Sequence, residues 1–597
     1  MPAAVAARPR WKLRSVDRER VAALSRALGT SEMTSTLLVA RGILDRDAAR
    51  AHLEPRLSML HDPARLPGMQ AATARIARAV HGRETILVHG DYDVDGVTGT
   101  ALLMRLFALL GAKAAWHIPN RFTDGYSFGA HSVEKARASG ATLVISVDNG
   151  TSAVETIAEL RALGIDTIVT DHHEPPPGAL PEAVAIVNPK LAGSPYPFRE
   201  LCGGAVAFKL AWGVCQELSG ATATGPTRSA PTKVREDLRE FLVDAMGYVA
   251  IATVCDVVPL VDENRCLARY GLRSLEASRS PGIRALLSIA KLDGQPLEAD
   301  DVAFKVGPRI NASGRLGSAE RAVELLLATD ARAASHLAGE LDRLNAERKR
   351  IESELLAEAL AAAEPFADRG AHPVLVVAKQ GWHQGVVGII AARLAARFER
   401  PAIVIGLDGD TGKGSGRSVA GFSILEALHA GAEHATKYGG HAQAIGLEIR
   451  AERVEALRAA LCARASEMLR ERGFAASEIL VDCEVPLARV TSEWMREIDK
   501  LKPFGERNER PVVLSPCLRL AEPPRVVGSD ESHLMLQLRH GAQCLKAMAF
   551  GMAHRAGELR MGVDVHAIHT PKWNVFRGEK NLELELIDFA TGERPAM

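Results

Sequence analysis

The chain has 597 residues, 47% hydrophobic and 24% charged, with 73 basic residues balanced by 73 acidic ones. That length exceeds what one core supports, so three or four domains are expected, and zero net charge confines any nucleic-acid surface to a local groove. Eight cysteines without a C-x-x-C pair exclude a thiolate zinc site of that spacing and a disulfide scaffold.

In chain order, residues 1–83, including "TSTLLVARGILDRDAARAHLEP", read as an N-terminal helical segment. The start "MPAAVAARPRWKLRSVDRER" lacks the apolar stretch of a secretory signal, and no run approaches the roughly 18 apolar residues of a membrane span. A cytoplasmic protein without membrane contact is therefore expected. From about Glu84, short apolar runs alternate with helical patterns. "TILVHGD", "KAAWHIP", "TLVISVDNG", "DTIVTDHH" and "AVAIVNP" read as strands, and "GTALLMRLFALLGA" as a helix closed at Gly111. This alternation predicts a parallel-sheet α/β unit over residues 84–330. Within it, "ATATGPTRSAPTK" reads as a loop, and "REDLREFLVDAMGYVAIATVCDVVPL" as a long helix running into Asp256. The Ala/Leu/Glu/Arg-rich stretch in residues 331–369 predicts a long connecting helix. A second α/β unit is expected over 370–473, with "PVLVVAK" and "PAIVIG" as strands. Residues 474–597 change to short alternating strands, the size of a small all-β barrel.

The stretch "VHGDYDVDGVTGTALL" places His89, Asp91, Asp93 and Asp95 at alternate positions, which face one side of an extended backbone. Carboxylates that close resist ionising unless a cation lies between them. Asp148, and the triplet Asp171, His172 and His173, end two further predicted strands, and Asp256 arrives on the long helix. Ligands of parallel α/β sheets bind at the carboxyl ends of the strands. Carboxylates joined by one or two imidazoles suit Mn²⁺ or Mg²⁺, and their number suits two ions about 4 Å apart.

"HGDYDVDG", "VDNG", "DHH" and Asp256 resemble, in order, the motif series of the DHH phosphoesterase superfamily. "RINASGR", "GSGRS" and "YGGHAQAIG" narrow the resemblance to its RecJ family of single-strand-specific exonucleases. The resemblance implies a DHH domain, a DHH-associated substrate-binding domain and a C-terminal OB-fold. It implies two Mn²⁺ or Mg²⁺ ions held by Asp93, Asp95, Asp148, His172 and Asp256, with Asp148 as the bridge. His89 or Asp91 completes one shell, and spacing does not choose between them. Asp171 would orient an imidazole, and His173 would act at the scissile phosphate.

Arg309, Asn311 and Arg315, on a glycine-containing loop, suit gripping phosphate. The competing reading pairs Arg309 or Arg315 with a nearby acid. Arg121 resembles a backbone-contacting position, and Ser415, Arg417 and His441 resemble substrate-binding positions of the second unit. Trp573 and Phe576, with Lys572, Arg577 and Lys580, form a candidate stacking patch for a single strand. The implied activity is 5′→3′ hydrolysis of single-stranded DNA to mononucleotides in recombination and repair. A single-strand-binding protein and a helicase are the implied partners. A small-substrate DHH phosphoesterase, acting on short oligonucleotides or cyclic dinucleotides, is disfavoured by the length and the trailing barrel. A non-catalytic DNA-binding scaffold is disfavoured because the metal-ligand residues are present.

Overall fold

The computed structural model describes residues 9–124, 128–220, 234–470, 473–474, 478–576 and 579–595. The expected loop at 221–233 and Arg577 lie outside them. Among the described residues, no helix is long and apolar enough to cross a membrane.

The first α/β unit is built on five parallel strands, Ile86–His89, Ala114–His117, Leu143–Val147, Asp166–Thr170 and Ala185–Val187. Side chains alternate between the two faces of a strand. Ile86, Val88, Leu143 and Ile145 pack under helices Met69–His81, Val94–Leu109 and Gly203–Leu218. Leu87, Val144 and Val169 pack under Ala130–Ser139 and Val154–Ala162. Burial on both faces explains why these strands read as continuous apolar runs. Strand Ile86–His89 lies between Ala114–His117 and Leu143–Val147. The chain order therefore reverses direction between the first and third strands, and such a switch point opens a crevice beyond their carboxyl ends.

The connecting helix spans Ala331–Ala363. It is not a free spacer: Ala334, Ala338 and Leu341 join the first core, while Leu355, Ala359 and Ala363 pack on Leu375, Val377 and Ile390 of the second unit. That unit carries a five-stranded sheet in which only Leu375–Gln380 and Ala402–Asp408 pair in parallel.

The C-terminal unit is a seven-stranded sheet with a further pairing between Val513–Leu520 and His533–His540. The expected all-β segment also carries a helix, Ser492–Lys500, whose Trp494, Met495 and Ile498 enter its core. The expected N-terminal segment is divided. Strand Arg10–Leu13 pairs with Glu478–Val481, and Val21, Leu24, Leu37, Leu38 and Leu53 share a core with Leu536, Leu538 and Phe589 of the barrel. Met69–His81 instead belongs to the first α/β unit. Short amphipathic helices need a partner for their apolar face, but their pattern does not say which distant segment supplies it. Arg265, 1% exposed, ties the units together by donating to the carbonyls of His52, Lys500, Lys502 and Pro503.

Candidate metal centre and substrate cleft

The alternation of polar residues after Val88 does not continue as a strand. The strand ends at His89, and Asp93 caps helix Val94–Leu109, its Oδ1 accepting from the Asp95 and Gly96 amides at 2.9 and 3.2 Å. An Asp at that position satisfies amides that a helix start leaves open. Asp95, in the first turn, is held by a second helix start: Gly203 and Gly204 donate their amides to its Oδ2 and Oδ1 at 2.6 and 2.7 Å. Asp148 follows strand Leu143–Val147 with a left-handed backbone, φ 65°. A Cβ on Gly203 would lie 2.6 Å from the Asp148 Cβ and Oδ1, so only glycine fits there. Asp256 ends helix Glu236–Cys255.

These residues converge in three overlapping sets, one of them Asp148, His172 and His173. Ligand oxygens of Asp91, Asp93 and Asp148 lie within 4.8 Å of one another, as do ligand atoms of Asp95, His172 and Asp256. The sets adjoin at His172, whose Nε2 is 3.2 Å from Asp148 Oδ1 and 3.7 Å from both Asp95 Oδ2 and Asp256 Oδ2. Burial, then neighbouring carboxylates, push Asp91 up to about 7 and Asp95 up to about 6, and raise Asp148 and Asp256 well above the usual carboxylate range. Burial and the adjacent His173 push His172 down to about 3, leaving a neutral ring with a lone pair. Asp148 Oδ1 and Asp256 Oδ2 are buried without a hydrogen-bond partner. Repelling carboxylates, orphaned oxygens and a neutral imidazole are all satisfied by cations, and this donor set fits Mn²⁺ or Mg²⁺.

His89 stands apart from this centre. Its Nε2 meets Ser132 Oγ at 2.9 Å, and its ring packs edge-on against Phe128 and His117. Of the two residues that spacing left open, Asp91 is the one grouped with Asp93 and Asp148.

Asp171 also turns away from the carboxylates. Its Oδ1 accepts from the His172 and His173 amides and from His173 Nδ1 at 2.8 Å, and its Oδ2 accepts from the Thr151 amide. Burial opposes the charge, but these bonds hold Asp171 well below the usual range. Burial likewise lowers His173, yet Asp171 prevails and raises it to about 8. His173 is half exposed, so this imidazolium borders open space. Asn188 Nδ2 donates to its carbonyl at 2.9 Å.

Across from the centre, Arg121 stacks on the Tyr92 ring at 4.2 Å. Arg315 donates to the Gly385 carbonyl at 3.1 Å, bridging the two α/β units, and Phe122 meets His383 edge-on. Burial, then Arg121, Arg348 and Arg417, lower Arg315 to about 10, so these cations lie close together. Arg417 donates to Ser415 Oγ at 3.0 Å, and His441 feels both Arg417 and His173. The cleft between the units is therefore lined by Arg121, Arg315, Arg417, His173 and His441.

Two expectations are corrected. "GPRINASGR" is not a loop but helix Gly307–Leu316. Asn311 and Arg315, one turn apart, share a face, and Arg309 lies on another. Arg309 is engaged by Asp342 at 2.9 Å and by the Lys305 and Ile289 carbonyls, while Asn311 Oδ1 accepts from the Val94 amide. In the barrel hairpin, the described members of the expected patch, Lys572, Trp573 and Lys580, are engaged with neighbouring side chains. Lys572 pairs with Glu585 at 2.6 Å, and half-buried Trp573 donates to Asp499 beneath Lys580. The Phe576 side chain lies outside the described residues.

Sequence reasoning missed Gly203, Gly204, Tyr92, Thr151 and Asn188. A Gly-Gly pair opening an apolar helix, and an Asn ending the strand in "AVAIVNP", were the available signals.

Family models match three segments: the DHH family N-terminal domain over 85–234, the DHHA1 domain over 371–467 and the RecJ OB domain over 481–588. The single-stranded-DNA-specific exonuclease RecJ of Bacillus subtilis (strain 168) is 35% identical over 592 residues, covering 99% of this chain and 72% of that protein. The crystal structure of Thermus thermophilus RecJ in complex with Mn²⁺ superposes with a TM-score of 0.81 at 29% identity, covering 98% of this chain and 80% of that one. The Mg²⁺ complex of the same protein gives 0.75 at 28% identity, covering 98% and 79%.

Proposed function

Because the chain belongs to the RecJ family of single-stranded-DNA-specific exonucleases, we propose that its carboxylate centre hydrolyses single-stranded DNA to mononucleotides in the 5′→3′ direction. Asp91, Asp93 and Asp148 would hold one Mn²⁺ or Mg²⁺ ion, and Asp148, Asp95, His172 and Asp256 a second. The observation that carries this reading is the pair of adjoining ligand sets, with His172 Nε2 3.2 Å from Asp148 Oδ1. Bound ions supply charge neutralisation of the phosphate and a lowered pKa for the attacking water.

The protein's own groups do the rest. The Gly203 and Gly204 amides fix both oxygens of Asp95. Asp171 occupies His173 Nδ1, so the ring's other N–H is free to donate to a phosphate or leaving oxygen in the cleft. Arg315 and Arg417 grip the terminal phosphate, and Tyr92 holds the Arg121 plane for the next one. The Arg315–Gly385 bridge and the Phe122–His383 contact narrow the passage, which favours one strand over two.

A cytoplasmic role in recombination and repair, beside a single-strand-binding protein and a helicase, extends this reading. A single-stranded oligomer and its duplex, each incubated with Mn²⁺ and then with a chelator, test it. Mononucleotides should come from the single strand alone and cease on chelation. Equal digestion of the duplex would overturn the reading.

A further inference from the structure

We propose that His89, His117 and His131 form a separate metal site beside the carboxylate centre, suited to one ion of the zinc class. His89 and His117 end neighbouring parallel strands and stand directly across from each other in register. His131 is the second residue of helix Ala130–Ser139. One nitrogen from each ring lies within 4.8 Å of the other two. His117 Nε2 and His131 Nδ1 are 3.3 Å apart. Two nitrogens bound to tetrahedral zinc at about 2.0–2.1 Å are themselves separated by about 3.4 Å, so this pair needs little movement to share an ion.

His89 and His117 are 0% and 5% exposed, which is deep for two polar rings. His89 Nε2 meets Ser132 Oγ, while its Nδ1 is buried without a hydrogen-bond partner. Buried polar atoms left this way call for a ligand or an explanation. The charged groups facing the cluster are Asp124 and Lys135, and the carboxylate adds an oxygen donor within electrostatic reach of His117 and His131.

Donor chemistry separates the two centres. Imidazoles suit zinc, whereas carboxylates suit Mn²⁺ and Mg²⁺. Three protein ligands leave a fourth position open for water or a carboxylate. An ion here would tie the end of strand Ala114–His117, which leads directly to Arg121 and Phe122, to helix Ala130–Ser139. It would fix the substrate-gripping arginine without taking part in hydrolysis.

The test uses the full chain held in a large excess of Mn²⁺ while one equivalent of Zn²⁺ is added, then desalted and assayed for both metals by mass spectrometry. The native chain should retain one zinc in addition to its manganese. His117→Leu and His131→Gln should each lose that zinc and keep the manganese. Co²⁺ in place of Zn²⁺ should show the intense visible absorption of a tetrahedral site in the native chain only. No retained zinc in the native chain, or zinc retained equally by both variants, would overturn the proposal. Loss of manganese together with zinc in both variants would also overturn it, because the two sites would then not be separate.

Discussion

Asp148 combines a left-handed backbone at the end of a buried strand with a carboxylate oxygen that has no hydrogen-bond partner. Such a backbone costs on the order of 1–3 kcal/mol in a non-glycine residue and persists at functional sites. Asn tolerates the same conformation, so Asp148→Asn should fold normally. Losing a shared anionic ligand should nevertheless reduce turnover at least about a thousandfold, the equivalent of several kcal/mol. Near-normal turnover with Mn²⁺ would contradict the shared-ligand role. The arginines make a second comparison. Arg315→Ala should weaken binding of 5′-phosphorylated strands relative to 5′-hydroxyl strands by about 1.5–3 kcal/mol. Arg309→Ala, which removes a contact to Asp342, should leave that difference intact. Equal losses for both strand types in Arg315→Ala would assign it to internal phosphates. The residue types at this site were legible from the sequence, but which arginine faces the cleft was not. That depends on helical phase, which a stretch read as a loop does not have.

At the scale of elements, the Gly203–Gly204 helix start sets the centre as much as the Asp-rich turn does. Gly203→Ala would place a Cβ 2.6 Å from the Asp148 Cβ and Oδ1, with no flexible side-chain end to yield. Overpacking of this kind costs about 1–3 kcal/mol. Manganese affinity should fall at least tenfold while circular dichroism stays native, as titration of the purified variant would show. Unchanged affinity would mean that the helix start does not position Asp148. The five parallel strands were legible because two-sided burial leaves uninterrupted apolar runs. Helix Gly307–Leu316 was not, because its Gly and Pro residues read as loop signals. Proline is at home in a first helical turn. The glycines are there for space: a Cβ at Gly307 would strike Cys255 Sγ at 2.4 Å, and one at Gly314 would strike the Tyr92 carbonyl at 2.5 Å.

At the scale of the whole molecule, the N-terminal helices and the barrel are one packing unit although they lie at opposite ends of the chain. Deleting residues 474–597 alone would uncover Val21, Leu24, Leu37, Leu38 and Leu53, and the product should aggregate. Deleting residues 1–56 as well should give a monodisperse core that still cleaves very short oligomers, since every proposed metal ligand remains. Size-exclusion chromatography of the two truncations decides this, and a monodisperse single truncation would contradict the shared core. The order of units along the chain was legible from changes in texture. The pairing of Arg10–Leu13 with Glu478–Val481 was not, because local patterns carry no information about partners that distant. The carboxylate centre and directional attack on a single strand stand or fall together. Their most direct measurement is the time course of products from a 5′-labelled single-stranded oligomer with Mn²⁺, for the native chain and Asp148→Asn. Labelled mononucleotide should appear from the first time point with the native chain and be absent with the variant. A ladder of progressively shorter labelled strands, or equal cleavage by the variant, would contradict this.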